Sequence, residues 1–265
     1  MPARNDFAPG EFCWIDLAAH DLAAAAEWYG KLFGWTLFQQ ETPGGGPPYG
    51  FLMQNGAAVA GIGEMNDEMK SRGVPPLWNT YVCSQDCART ESRARELGAN
   101  VVFPTTEVPG HGRLAFLTDP EGVTIALWES TNHMGPGFVT MEPGSFSWVE
   151  LMTRTPDASK GFYADLFGWD YADVPMPHGS YSMIKSGGRD QGGVMDVNDK
   201  MFDGMPSHWQ VYLMTADCDA ATKQVAELGG RVLVPSTPIP VGKFSVVQDP
   251  QGGTFSLLEM SSTPC

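Results

Sequence analysis

The chain has 265 residues, 42% of them hydrophobic and 11% aromatic, which is ample for packed cores in two domains of ordinary size. Its formal net charge of −15 comes from 31 acidic against 16 basic residues and argues against nucleic acid or an anionic membrane as partner, because phosphate binding needs clusters of lysine and arginine. The opening MPARNDFAPGEF has no apolar targeting segment, and no stretch reaches the ~18 apolar residues of a spanning helix, so a cytoplasmic protein with free thiols at its cysteines is expected.

In chain order the first segment is CWIDLA, where alternation puts Ile15 and Leu17 on one face of a strand and Trp14 and Asp16 on the other. Asp21 stands where a helix start favours a carboxylate, apolar residues then recur at helical spacing up to Leu32 and Phe33, and Gly34 follows as a terminating glycine. Trp35 opens the next strand, and WTLFQQE, YGFLMQ and AVAGIGE read as three short strands. The GGGPPYG stretch at 44–50 lacks a Lys-Ser/Thr ending and a strand-to-helix setting, so it reads as a mobile lip and not as a phosphate loop. After a connector at 66–77 the order repeats: strand NTYVCS, helix DCARTESRARELG, then three strands through ALWE.

The second half spells the first again. FCWIDL at 12–17 is answered by FSWVEL at 146–151, YGKLFGW at 29–35 by YADLFGW at 163–169, and WNTYVCSQDC at 78–87 by WQVYLMTADC at 209–218. LGANVVFPTT (97–106) matches LGGRVLVPST (228–237), and LTDPEGVTIALWE (117–129) matches VQDPQGGTFSLLE (247–259). In this half Asp157 takes the helix-start place, Gly168 the glycine place, VPMPHG (174–179) the lip, and 198–207 the connector. A repeat of this length is a duplicated domain. The expected fold is α+β with four βαβββ units, divided into domains at 8–130 and 144–261 by a linker at 131–143.

Four such units, with an aspartate eight residues before the helix tyrosine, LFGW at the helix end and DPEG or DPQG before the last strand, resemble the vicinal oxygen chelate superfamily of glyoxalase I, extradiol dioxygenases and bleomycin-resistance proteins. The chain is most similar to two-domain glyoxalase-like proteins of actinomycetes, some of them associated with aromatic polyketide pathways. The resemblance implies cup-shaped mixed sheets with helices outside, and a divalent metal held in the cup. Its three ligand places fall, half by half, on Trp14 and Trp148, on Asn79 and Gln210, and on Ala126 and Ser256. An indole nitrogen has no lone pair for a metal, and neither half keeps the His and carboxylate set that iron favours, so no metal and no other cofactor is expected. The five histidines, His20, His111, His133, His178 and His208, do not recur between the halves.

With those places vacated, the cup face shows Trp14, Asp16, Asn79, Tyr81 and Trp128 in one half, and Trp148, Glu150, Met152, Gln210, Tyr212, Thr254 and Ser256 in the other. Aromatic walls carrying a few polar groups suit a flat, partly oxygenated molecule. The expected function is metal-independent binding of an aromatic, polyketide-like small molecule, of the sequestration or resistance type, by a monomer or homodimer. A second reading keeps the cup and adds metal-free proton transfer, with Glu150 as general base and Tyr212 or Gln210 steadying the developing oxyanion. A third is a divalent-metal lyase or dioxygenase using other ligands.

Overall fold

The computed structural model describes residues 4–40, 47–131, 138–176 and 179–261. The first half runs β1 (Phe12–Ala19), α1 (Leu22–Phe33), β2 (Thr36–Gln40), β3 (Tyr49–Gln54) and β4 (Ala57–Glu64), then α2 (Asp67–Ser71), β5 (Leu77–Cys83), α3 (Cys87–Glu96), β6 (Asn100–Val108), β7 (Gly112–Thr118) and β8 (Thr124–Ser130). The second half runs β9 (Phe146–Thr153), α4 (Pro156–Phe167), β10 (Asp170–Val174), β11 (Tyr181–Ser186) and β12 (Arg189–Asp196), then β13 (His208–Met214), α5 (Cys218–Glu227), β14 (Arg231–Ile239), β15 (Gly242–Gln248) and β16 (Thr254–Met260). The fold is α+β: two tandem domains, each with one eight-stranded mixed sheet in the order β2-β3-β4-β1-β5-β8-β7-β6 or its counterpart β10-β11-β12-β9-β13-β16-β15-β14.

In each sheet the two βαβββ units meet at an antiparallel central pair, β1 with β5 and β9 with β13, while β1–β4, β5–β8, β12–β9 and β13–β16 run parallel. The opening strands carry a bulge at Cys13 and at Ser147. Ile15, Leu17, Val149 and Leu151 lie on the buried face, together with Tyr29, Trp78, Tyr163 and Trp209. Among the described residues no helix is long and apolar enough to cross a membrane.

The glycine stops behave as expected: Gly34 and Gly168 take the left-handed conformation, φ 74° and 72°, and close α1 and α4. One local expectation is corrected and two gain detail. Trp35 is not in a strand; it is buried, and its Nε1 donates to the Gly144 carbonyl of the other half at 2.8 Å. Both connectors contain a helical turn, α2 and a 3-10 turn at Lys200–Phe202, each begun by a capping side chain, Asn66 to Met69 N–H and Asp199 to Met201 N–H. Asp157 lies in the first turn of α4, its expected helix-start place, while the cap residue is Thr155, whose side chain makes no cap bond, and Pro156 opens the helix.

The missing cap comes from the other half. Glu121, in the DPEG turn, accepts from the Arg154 N–H at 3.0 Å, from the Thr155 hydroxyl at 2.9 Å, from the Ser207 hydroxyl at 2.5 Å and from the Thr153 hydroxyl. Gln251, in the DPQG turn, does the reciprocal work at α1, accepting from Asp21 N–H and donating to its carbonyl. The aspartates of the same turns also reach across. Asp119 holds its own turn through the Glu121 and Val123 N–H groups and accepts from the Tyr163 hydroxyl at 3.0 Å. Asp249 holds the Gln251 and Gly253 N–H groups and accepts from Tyr29 at 2.9 Å. The tyrosine of the repeated heptapeptide is therefore the bolt between the halves, and each bolt receives an indole N–H, from Trp78 on Tyr29 and from Trp209 on Tyr163.

Candidate functional site

Alternation along β1 and β9 turns Trp14 with Asp16, and Trp148 with Glu150, to the face opposite the core. Register then fixes their neighbours. Asp16 lies opposite Asn79 and Trp14 opposite Tyr81, while Glu150 lies opposite Gln210, Trp148 opposite Tyr212 and Met152 opposite His208. Ala126 and Ser256 sit beside Tyr81 and Tyr212 on the next strand.

Each carboxylate is clamped by two phenols. In the first half Tyr81 donates to Asp16 Oδ2 at 2.6 Å and Tyr49 to the same oxygen at 3.4 Å, while the Asn79 amide donates to Oδ1 at 2.8 Å. In the second, Tyr212 donates to Glu150 Oε2 at 2.5 Å and Tyr181 to Oε1 at 2.8 Å. The tryptophan completes the chain: Trp14 Nε1 donates to the Tyr49 hydroxyl at 3.3 Å, and Trp148 Nε1 to the Tyr181 hydroxyl at 3.1 Å. Burial pushes both carboxyls above their ordinary range, against the opposing pull of the phenol donors. Burial and the adjacent carboxylate push Tyr49, Tyr81, Tyr181 and Tyr212 up as well, so these phenols are donors and not phenolates.

Tyr49 and Tyr181 are the site residues that sequence reasoning missed. Tyr49 falls within the stretch read as a lip, but Tyr49 and Gly50 belong to β3; residues 44–46 of that stretch, and Pro177 and His178 of its counterpart, lie outside the described residues. A signal was available. At the same spacing after each tyrosine stands a glycine, Gly61 or Gly193, paired with the carboxylate residue, and a Cβ there would lie 2.1 Å from the phenol oxygen. Only glycine on the intervening strand lets the phenol cross it to the carboxylate.

The two cups then diverge. In the first, the ring of Trp14 packs on Phe51 at 5.9 Å and on Phe138 at 5.0 Å. Phe138 is fully buried, bridges to Arg4 and Ala58, and meets Phe7, which packs, as Trp128 does, on the buried cluster of Cys13, Tyr81 and Ala126. The buried Nε1 of Trp128 has no hydrogen-bond partner among the described residues. In the second cup no aromatic ring among the described residues packs on Trp148, and Met183 and Met141 stand where the first half has Phe51 and Phe7. The second cup also holds a polar row absent from the first. Gln210 Nε2 donates to Ser256 Oγ at 3.0 Å, and its Oε1 lies 2.9 Å from His208 Nε2, where the first half has Asn79, Ala126 and Leu77. Thr254, on the same face of β16 as Ser256, accepts from Gln248.

These side chains do not fit a divalent metal. Both indoles at the first ligand place spend their N–H on a phenol, the amide of Gln210 is held between His208 and Ser256, and each cup carboxylate is taken up by phenols. Among the described residues no group of three or more His, Cys, Asp or Glu side chains is arranged to hold one. His20 sits against the Val74 carbonyl, His111 in the turn before β7, and His133 outside the described residues.

Comparison with known proteins agrees with the duplicated fold. Residues 12–127 match the model of the glyoxalase/bleomycin resistance protein/dioxygenase superfamily, and residues 148–258 match that of a glyoxalase-like domain. CFP32 of Mycobacterium tuberculosis, whose name calls it a glyoxylase, is 36% identical over 261 residues, 98% of each chain. The anthracycline biosynthesis protein DnrV of Streptomyces peucetius is 32% identical over 267 residues, covering 96% of this chain and 94% of its own. Among solved structures, the Mn(II)-bound glyoxalase of Novosphingobium aromaticivorans superposes with a TM-score of 0.64 at 12% identity, over 95% of this chain and 82% of that one. The 2,2',3-trihydroxybiphenyl 1,2-dioxygenase of Sphingomonas wittichii gives 0.62 at 13% identity, over 95% and 91%. At such identities the likeness is one of fold. By both family matches and by its two full-length relatives, the chain belongs to the glyoxalase/bleomycin resistance/dioxygenase superfamily.

Proposed function

We propose that this protein binds an aromatic, polyketide-like small molecule in the cup of its second half, without a metal ion. The observation that carries the reading is the difference between the two tryptophans. Trp14 is covered by Phe51 and Phe138, whereas no ring among the described residues packs on Trp148, which stands beside the Gln210, Ser256 and His208 row. An indole face next to amide, hydroxyl and imidazole groups matches a planar ring system bearing carbonyl and hydroxyl oxygens. The relative DnrV, named for anthracycline biosynthesis, supports the same ligand class.

The test is titration with a hydroxylated anthraquinone, read by tryptophan fluorescence. Saturable quenching at one site per chain is expected, weakened at least tenfold in Trp148→Phe and little changed in Trp14→Phe. Absence of saturable quenching, or equal loss in both variants, overturns the reading. The alternative of metal-free proton transfer has Glu150 as its base, and the raised affinity of that carboxyl for a proton favours it. Both Glu150 oxygens already accept phenol hydrogen bonds, which favours a positioning role. Time-dependent change in the spectrum of the bound quinone, abolished in Glu150→Gln with quenching intact, would decide for the enzyme.

A further inference from the structure

The first half contains a thiol pair that the binding site does not use. Cys13 lies at the bulge of β1, and Cys83 closes the adjacent antiparallel strand β5. Around the bulge Phe12 faces Val82 and Trp14 faces Tyr81, so Cys13 stands diagonally across from Cys83, with the carbonyl of Tyr81 beside it. Cys83 packs against the small buried cluster of Cys13, Tyr81 and Ala126, and each of the two thiols shifts the other's acidity. Cys13 is fully buried and points its Sγ toward the Tyr81 carbonyl at 3.6 Å; Cys83 is partly exposed and reaches the Phe7 carbonyl at 3.4 Å.

The pair is peculiar to this half. The duplicated positions hold Ser147, which makes the same backbone contact to the Tyr212 carbonyl at 3.1 Å, and Met214. The fold of the bulge therefore needs no thiol at either place. Cys83 is also the activated member: the neighbouring Cys13 thiol, more than Arg4, draws its pKa below the ordinary thiol value, against burial and Glu11, while burial pushes that of Cys13 far up. Cys87, on the core side of the same sheet, is pushed up to about 12 by burial and by Glu129 and lies against the Arg113 carbonyl, which makes it an inert control.

We propose that Cys13 and Cys83 form a peroxide-oxidation site that closes to a reversible cross-strand disulfide. The Cys83 thiolate attacks one oxygen of a hydroperoxide such as hydrogen peroxide, the O–O bond breaks, and the departing hydroxide takes a proton from solvent, leaving a sulfenic acid. The Cys13 sulfur then attacks the Cys83 sulfur, the S–O bond breaks, and the hydroxide leaves as water with the Cys13 proton. Two thiols and one peroxide thus give one disulfide and two waters, a two-electron oxidation of the protein. The product ties β1 to β5 beneath Phe7.

The experiment treats the full chain with hydrogen peroxide, alkylates the remaining thiols and maps peptides without reduction. A linked pair of peptides containing Cys13 and Cys83 is expected, with Cys87 and Cys218 alkylated and the link removed by dithiothreitol. Cys13→Ser should leave Cys83 as a sulfenic acid that reacts with dimedone, and Cys87→Ser should form the link as before. The proposal is overturned if both thiols stay alkylatable in the wild-type chain, if Cys83 proceeds to sulfinic acid with no link, or if the link joins Cys87.

Discussion

A methyl group at Gly193 would sit 2.1 Å from the hydroxyl oxygen of Tyr181, and the same is true of Gly61 and Tyr49. Gly193→Ala should therefore drive Tyr181 off Glu150 and break the Trp148 bond as well, at a cost of about 1–3 kcal/mol read by urea unfolding. If the cost arises from that displacement, most of it should vanish in a Tyr181→Phe background; an unchanged cost would locate the strain elsewhere. The clamped carboxyl gives a second expectation. Glu150 holds its proton more tightly in the folded chain than at the ordinary value of 4.5, because burial outweighs the phenol donors. The folded state then binds more protons than the unfolded one as pH rises from that value to the folded pKa, so this group's contribution to stability falls across that window. Glu150→Gln should remove that downward slope, seen as a wild-type minus variant difference that shrinks with rising pH; a difference flat in pH would mean that the carboxyl is not perturbed.

Helix α4 begins without a cap of its own, since the Thr155 side chain bonds none of the first-turn N–H groups and instead donates to the Glu121 carboxylate of the other half. Burial raises the affinity of that carboxyl for a proton, but the donors Ser207, Thr153, Arg154 N–H and Thr155 outweigh it and hold it below the ordinary range. Glu121→Ala should cost about 2–4 kcal/mol, as it strips four donors at once, Thr153 buried and Arg154 and Ser207 partly so, and Gln251→Ala at the exposed start of α1 about 1 kcal/mol. Equal costs in urea would contradict the asymmetry. This contact also marks where sequence reading stops. The strand faces and the extents of α1 and α4 follow from periods of two and of 3.6, and their glycine stops from cap chemistry, all of which are local. Glu121 and Gln251 act on helices far along the chain, and Tyr49 and Tyr181 cross an intervening strand, so no local period announces them. The cup residues Trp14, Tyr81, Gln210 and Ser256 were legible because they alternate; the Phe7 and Phe138 cover was not, because it arrives from segments outside the repeat.

At the scale of the molecule, the two halves are joined by groups that are buried and mutually dependent. Tyr29 and Tyr163 are fully buried, each donates to a turn aspartate of the opposite half, and each receives an indole N–H from its own. Trp35 and Trp169 add indole bonds to the Gly144 and Gly10 carbonyls across the same boundary, and Arg189 pairs with the buried Glu11. A half that opened alone would exchange each of these bonds for water, at about 0.5–1.5 kcal/mol apiece, and would also expose the apolar rings of the boundary. The halves should accordingly unfold together. Scanning calorimetry of the wild-type chain should show one transition with the van't Hoff enthalpy close to the calorimetric value. Tyr163→Phe, which keeps the ring and removes only the bond to Asp119, should lower the midpoint without splitting the peak, as one fewer bolt weakens a boundary that several others still hold. Two resolved transitions in the wild-type chain would show instead that the bolts align the domains without coupling their stability, and the cost of Tyr163→Phe would then fall on one transition alone.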